Sequence, residues 1–155
     1  MFETIVWATD GSELADSALE YVRQLAELHG SRIVAVHANE LFTGRAAGAP
    51  LLADEPDIRT KLESQVAELR SVGFDARLEV RTGTQPSATL IANAADEVDA
   101  DLVVVGTHGR GAIGAALLGS LTRALCHTSS RPVLVVPPPA KSERARDEAE
   151  RLTTA

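Results

Sequence analysis

The segment Leu102-Val-Val-Val-Gly-Thr-His-Gly-Arg-Gly-Ala-Ile-Gly-Ala-Ala-Leu-Leu-Gly-Ser-Leu-Thr122 decides the fold class. Leu102 to Val105 are all apolar and mostly β-branched, which reads as a strand covered on both faces, the kind found inside a parallel sheet. A glycine-rich loop follows, and then a helix to about Thr128. That order puts the loop beyond the carboxyl end of the strand, where open α/β sheets bind their ligands. A loop leading into a helix N-terminus offers free backbone N–H groups and a positive dipole end to a phosphate. Its glycines let the backbone come close to the ligand.

Working outward, short apolar runs alternate with helix-period segments, the pattern of repeated βαβ units. Ile5 to Ala8 reads as a first strand. Leu14, Ala18, Tyr21, Val22, Leu25 and Leu28 then recur at helical spacing, with Gly30 where a C-cap belongs. Ile33 to Val36 is a second strand, closed by His37. Ile58, Leu62, Val66 and Leu69 mark one face of a second helix, and Asp75 to Arg81 alternates as a strand with one wet face does, at a sheet edge. Pro86 opens a third helix carrying Ile91, Ala94, Ala95 and Val98. Pro132-Val-Leu-Val-Val-Pro137 is a fifth strand bracketed by prolines. Leu41 to Pro56 has Gly and Pro punctuation without a period and reads as a long, mobile loop of the kind that forms lids. From Ala140 the chain is polar and charged. One domain, residues 1–139, with a polar tail, residues 140–155, is the expected organisation.

The 155 residues, 45% of them hydrophobic, suffice for one sizeable core. No apolar stretch approaches membrane-spanning length, and the first residues lack a basic start and long apolar run, so no membrane association and a cytoplasmic location are expected. A lone cysteine, Cys126, excludes an intramolecular disulfide and reads as a small buried core residue. With four scattered histidines it argues against structural zinc. The net charge of −7 argues against nucleic-acid binding. That charge is uneven: no Asp or Glu occurs from Leu102 to Ser142, whereas Arg110, Arg123, Arg131 and Lys141 do. An anionic ligand is least repelled there.

Gly109-x-Gly111-x-x-Gly114 formally matches a dinucleotide fingerprint, but the acid required about 20 residues on is missing before Glu143. No Gly-Lys-Ser or Gly-Lys-Thr exists for a P-loop. What does match is Gly106-x2-Gly109-x9-Gly119-Ser120. With Ile5-Val-Trp-Ala-Thr-Asp-Gly-Ser12, Val36-His37, Asp101 to Gly109 and Arg131 to Val136, it resembles the nucleotide-binding branch of the universal stress protein family from Met1 to Pro137.

The resemblance implies an open five-stranded parallel sheet of order 3-2-1-4-5, Rossmann-like, with helices on both faces and a switch point between strands one and four. It implies ATP as ligand, with Ala8, Thr9 and Asp10 near adenine and ribose and the Ala38 backbone touching adenine. Gly106, His108, Gly109, Gly119, Ser120, Leu121 and Thr122 would wrap ribose and phosphates. The phosphates would bring any Mg²⁺ with them, since no dedicated carboxylate cage is visible. It also implies a homodimer that covers the apolar edge strand Val133–Val136. Two of these residues have local roles open to them as well: Asp10-x-x-Glu13 fits a capping box, and Ser120 fits an N-cap. Arg123 in the first helical turn opposes the dipole, a conflict that a bound phosphate relieves. No histidine has a second titratable group placed with it, so none is assigned catalysis. His37 ends a strand, and His29 and His127 sit near helix C-termini. A regulatory ATP-binding protein is the expected function; a dimeric adaptor without nucleotide and a slow ATP hydrolase are its rivals.

Overall fold

The structure is a computed structural model and describes residues 1–41, 55–107 and 118–138. In chain order the elements are β1 (Thr4–Ala8), α1 (Glu13–His29), β2 (Arg32–Glu40), α2 (Glu55–Ser71), β3 (Ala76–Gly83), α3 (Ser87–Glu97), β4 (Leu102–Gly106), α4 (Ser120–Thr128) and β5 (Val133–Val136). The strands form one sheet in the order β3-β2-β1-β4-β5, and every neighbouring pair is parallel. The expected topology is therefore met.

Successive side chains of a strand point to opposite faces, and the apolar residues divide accordingly. Ile5 and Trp7 of β1, Ile33 and Ala35 of β2 and Val104 of β4 face one side, against Ala18, Val22 and Ala26 of α1 and Ile58, Leu62, Val66 and Leu69 of α2. Val6, Ala8, Val34, Val36, Val103 and Val105 face the other, against Ala88, Ile91, Ala94 and Ala95 of α3 and Leu125 of α4. Central strands meet helices on both sides and are apolar over residues 5–8 of β1, 33–36 of β2 and 102–105 of β4. β3, at an edge, carries the charged series Arg77, Glu79 and Arg81, whose side chains pair with one another. Charged residues on an edge strand discourage pairing with other chains.

Several local expectations are corrected. The buried stripe of α1 is Ala15, Ala18, Val22 and Ala26, whereas Tyr21 and Leu28 are exposed. Small residues face the sheet so that the helix can lie close to it, which rotates two of the larger side chains into solvent. β2 does not stop at His37 but runs to Glu40, because β3 continues beside it through Gly83. Glu55 and Pro56 belong to α2 rather than to the preceding loop, and proline is tolerated in a first turn. The rest of that loop reading, residues 42–54, lies outside the described residues, as do the tail from residue 139 onward and the loop glycines Gly111 and Gly114.

Cys126 is exposed rather than buried, because α4 turns Thr122 and Leu125 inward and Cys126 follows one residue later around the helix. The N-cap of α1 is Ser12, not Asp10: Ser12 Oγ accepts from Ala15 N at 3.2 Å. The N-cap of α4 is Gly119, not Ser120. α1 thus begins two residues later than a cap at Asp10 implies, and α4 one residue earlier than a cap at Ser120 implies.

Candidate functional site

β1 and β4 are paired as far as Ala8 opposite Val105. Beyond that point their backbones turn to different neighbours. Thr9 N donates to Val36 O of β2 at 3.0 Å, and Thr107 N donates to Val136 O of β5 at 2.9 Å. The chain thus parts between β1 and β4 at the carboxyl end of the sheet, which is the crevice expected at a topological switch point.

The β1 side of the crevice is a tight turn from Thr9 to Ser12. Thr9 is buried and its Oγ1 accepts from Gly11 N at 3.1 Å. Asp10 Oδ1 accepts from Ser12 N at 3.0 Å, an Asx turn. Gly11 has φ 75°, a left-handed conformation that favours glycine. His37 is buried, with Nδ1 3.0 Å from Thr9 O. A carbonyl only accepts, so Nδ1 carries the proton in this contact. Ala38 follows on β2, on the same β1-facing side of the strand as Val36 O, and is half-buried.

The β4 side is built by the start of α4. Gly119 N donates to Thr107 O at 2.8 Å, and the buried Thr122 donates through Oγ1 to Gly106 O at 2.8 Å. These bonds fasten the first turn of α4 to the end of β4. Arg123 N, bonded to Gly119 O, makes the first intrahelical bond, so the N–H groups of Ser120, Leu121 and Thr122 have no acceptor within the helix. Gly119 has no side chain to cap them, and the first turn contains no acid.

The starts of α1 and α3 differ. α1 is capped by Ser12 and has Glu13 and Asp16 in its first turn. α3 receives the Glu40 carboxylate, whose Oε2 accepts from Ser87 N at 3.0 Å. Both of these N-termini are thus served by the chain's own oxygens, whereas the start of α4 keeps its donors for something else. An anion of ligand size satisfies that demand.

The structure thus gathers Ala8, Thr9, Asp10, Gly106, Gly119, Ser120 and Thr122 at one end of the sheet, with Ala38 beside them. Leu121 is half-buried against the core on the α3 side and offers the crevice its backbone. Thr122 spends its hydroxyl on Gly106 O. His108 and Gly109 lie outside the described residues. Of the cations near the loop in sequence, Arg131 does not belong here. It pairs with Asp96 at 2.8 Å and reaches Ala100 O at 3.1 Å, beyond the end of α3, before β5 begins. Asp96 is held below the usual carboxylate range by Ser130 and then by Arg131. Asp101, at the same end, is held low by the backbone N–H groups of Thr4 and Glu3. Arg123 does lie at the crevice end, exposed.

His37, expected only to end a strand, instead lies buried against the Thr9 carbonyl. The signal that marks it is a lone imidazole in the otherwise apolar run Ile33-Val-Ala-Val-His37, which needs a buried polar partner and finds it in Thr9 O. Among the described residues no three His, Cys, Asp or Glu side chains come together as a metal site requires.

A family model described as the universal stress protein family matches residues 1–137. A universal stress protein of Thermus aquaticus is 32% identical over 139 residues, covering 88% of this chain and 99% of that protein. The universal stress protein MJ0577 of Methanocaldococcus jannaschii is 28% identical over 157 residues, covering 88% of this chain and 95% of its own. The solved structure of MJ0577 superimposes with a TM-score of 0.76 over 91% of this chain and 99% of its own, at 26% identity. A universal stress protein solved in complex with cAMP superimposes with a TM-score of 0.65 over 88% of this chain and 97% of its own, also at 26% identity. The matched residues run from the chain start through β5, taking in both walls of the crevice, and with them the chain belongs to the universal stress protein family.

Proposed function

We propose that this protein binds ATP in the crevice between β1 and β4 and acts as a nucleotide-dependent regulatory protein of the stress response. The observation that carries the reading is the start of α4, where three backbone N–H groups stand without side-chain cap or acid at the switch point. Ser120, Leu121 and Thr122 hold the phosphates through those groups, with Gly119 leaving room for them. Asp10 meets the ribose, Ala8 and Thr9 lie under the nucleoside, and the Ala38 backbone borders adenine. Gly106 lets the ligand approach the end of β4, and His108 and Gly109 complete the phosphate side. Mg²⁺, where it takes part, arrives on the phosphates. We assign no catalytic residue. Occupancy biases the surrounding loops, and through them the binding of a protein partner.

The test is to denature protein purified from cells and identify the released nucleotide. ATP is expected. Released cAMP, the ligand of the similar solved protein, would keep the site and change the ligand. No released nucleotide, together with no uptake of added ATP, would favour the adaptor reading. ATP turnover followed over hours separates binding from slow hydrolysis.

The assembly proposed is a homodimer through β5. Val133, Leu134 and Val135 are only half-buried in the single chain, and β5 ends the sheet with an apolar, unpaired edge. Sedimentation at micromolar concentration is expected to give twice the chain mass; a monomer there would sink the dimer.

A further inference from the structure

The turn that carries Asp10 is held from outside at two carbonyls, one on each side of that residue. From β2, His37 Nδ1 meets Thr9 O at 3.0 Å. From α2, Lys61 Nζ donates to Gly11 O at 2.7 Å. Within the turn, the N–H groups of Gly11, Ser12 and Ala15 are already taken by the side chains of Thr9, Asp10 and Ser12. The Gly11 carbonyl points outward and receives its hydrogen bond from a different helix, 50 residues on in sequence.

Lys61 is itself oriented. Its ammonium also lies 2.6 Å from Asp16 Oδ2, and Gln65 Nε2 donates to Asp16 Oδ1 at 2.9 Å. Asp16 is thus gripped by two successive turns of α2 and keeps Lys61 on the Gly11 carbonyl. The Lys61 and Asp16 side chains are 38% and 29% exposed, so the pair adds little to folding. What the contact fixes is geometry. A flexible lysine stem tied at its head to two oxygens sets where the turn sits relative to α2, and hence where the Asp10 carboxylate stands over the crevice.

We infer that Lys61 is a positioning residue of the nucleotide site: it acts from α2 through the Gly11 carbonyl to place Asp10 on the ribose. This rests on the reading that Asp10 meets the ribose hydroxyls. The role predicts a chemical signature, because Lys61 then matters only for ligands that have those hydroxyls.

The experiment is calorimetric titration of nucleotide-free wild type, K61M and K61R with ATP and with 2′,3′-dideoxyadenosine triphosphate, with thermal unfolding recorded alongside. Wild type is expected to prefer ATP. K61M, which keeps the stem and loses the ammonium, is expected to bind ATP roughly three- to tenfold more weakly and the dideoxy nucleotide as wild type does. K61R, which can donate to both oxygens, should recover most of the ATP affinity. Equal weakening of both nucleotides, or ATP binding by K61M within twofold of wild type, overturns the inference and leaves the ATP reading standing. No ATP binding by wild type removes the ATP reading itself. Should K61M not fold, Asp16→Asn loosens the same lysine, and the same selective loss of ATP over the dideoxy nucleotide is required of it.

Discussion

Replacing Gly119 by Val is expected to abolish the stabilisation that ATP gives the wild-type protein while leaving the fold standing. Gly119 has φ −56° and ψ 154°, a backbone that any residue adopts, so valine meets no conformational barrier there. Its own N–H stays bonded to Thr107 O and its carbonyl stays bonded to Arg123 N. Valine is a poorer N-cap than glycine, which costs about 1 kcal/mol, or roughly 2 to 4 °C in melting temperature for a domain of this size. The loss at the site is larger. Gly119 stands immediately before the three free N–H groups of α4, and a branched side chain there fills the space through which a phosphate reaches them. A ligand at a hundredfold excess over its Kd adds about 2.7 kcal/mol, so wild type should gain roughly 5 to 11 °C with ATP and the variant close to nothing. The melting temperature without ligand is the control, since a collapsed variant reports nothing about the site. A full ATP shift in well-folded Gly119→Val would refute the placement of the phosphates, and no shift in nucleotide-free wild type would favour the adaptor.

The parts of the fold legible in the sequence were those in which local pattern and tertiary environment demand the same residues. β1 and β4 are buried on both faces, so their apolar runs mark them as central strands, and the alternation along β3 marks it as an edge. α2 shows its face through Ile58, Leu62, Val66 and Leu69 because that helix is otherwise polar. α1 was harder, since it has more apolar residues than its buried stripe can hold. Periodicity counts Tyr21 and Leu28 with the same weight as Ala15 and Ala26, whereas the sheet selects the small ones.

The place of the crevice was legible, since a buried strand leading into a helix through a glycine-rich loop marks the carboxyl end of a parallel sheet, but the forces that hold its walls were not. The contacts of Lys61 with Gly11 and of His37 with Thr9 join residues 50 and 28 positions apart, and nothing in either local stretch points to the other. Caps show the same limit. Asp10 and Ser12 can both serve the start of α1, and the left-handed Gly11 between them decides that Ser12 is the cap and Asp10 the Asx turn. Arg131 reads in sequence as part of a locally cationic segment, yet α4 carries the chain back to the opposite end of the sheet, where Arg131 lies beside Asp96.

The same Gly11 gives the largest expected effect on the fold. Gly11→Ala should destabilise the protein by two independent routes. A left-handed backbone costs an L-residue about 1–2 kcal/mol, and Gly11 sits at φ 75°. A Cβ there would also stand 2.8 Å from Cγ2 of Ile58, whose side chain is buried under the turn and cannot swing into solvent. Overpacking of this kind costs about 1–3 kcal/mol. Together these give about 2–5 kcal/mol, or roughly 4 to 20 °C in melting temperature. The two routes separate in a double-mutant cycle with Ile58→Ala, which alone costs about 2–5 kcal/mol for the cavity it leaves. Removing the Ile58 branches gives the new methyl group its space, so the double variant should be more stable than the sum of the single losses by about 1–3 kcal/mol. The backbone cost should remain in both arms of the cycle. Urea unfolding of the four proteins measures it. Losses that add to within about 0.5 kcal/mol would mean that α2 does not press on the turn, and Gly11→Ala as stable as wild type would mean that the turn is not left-handed at all.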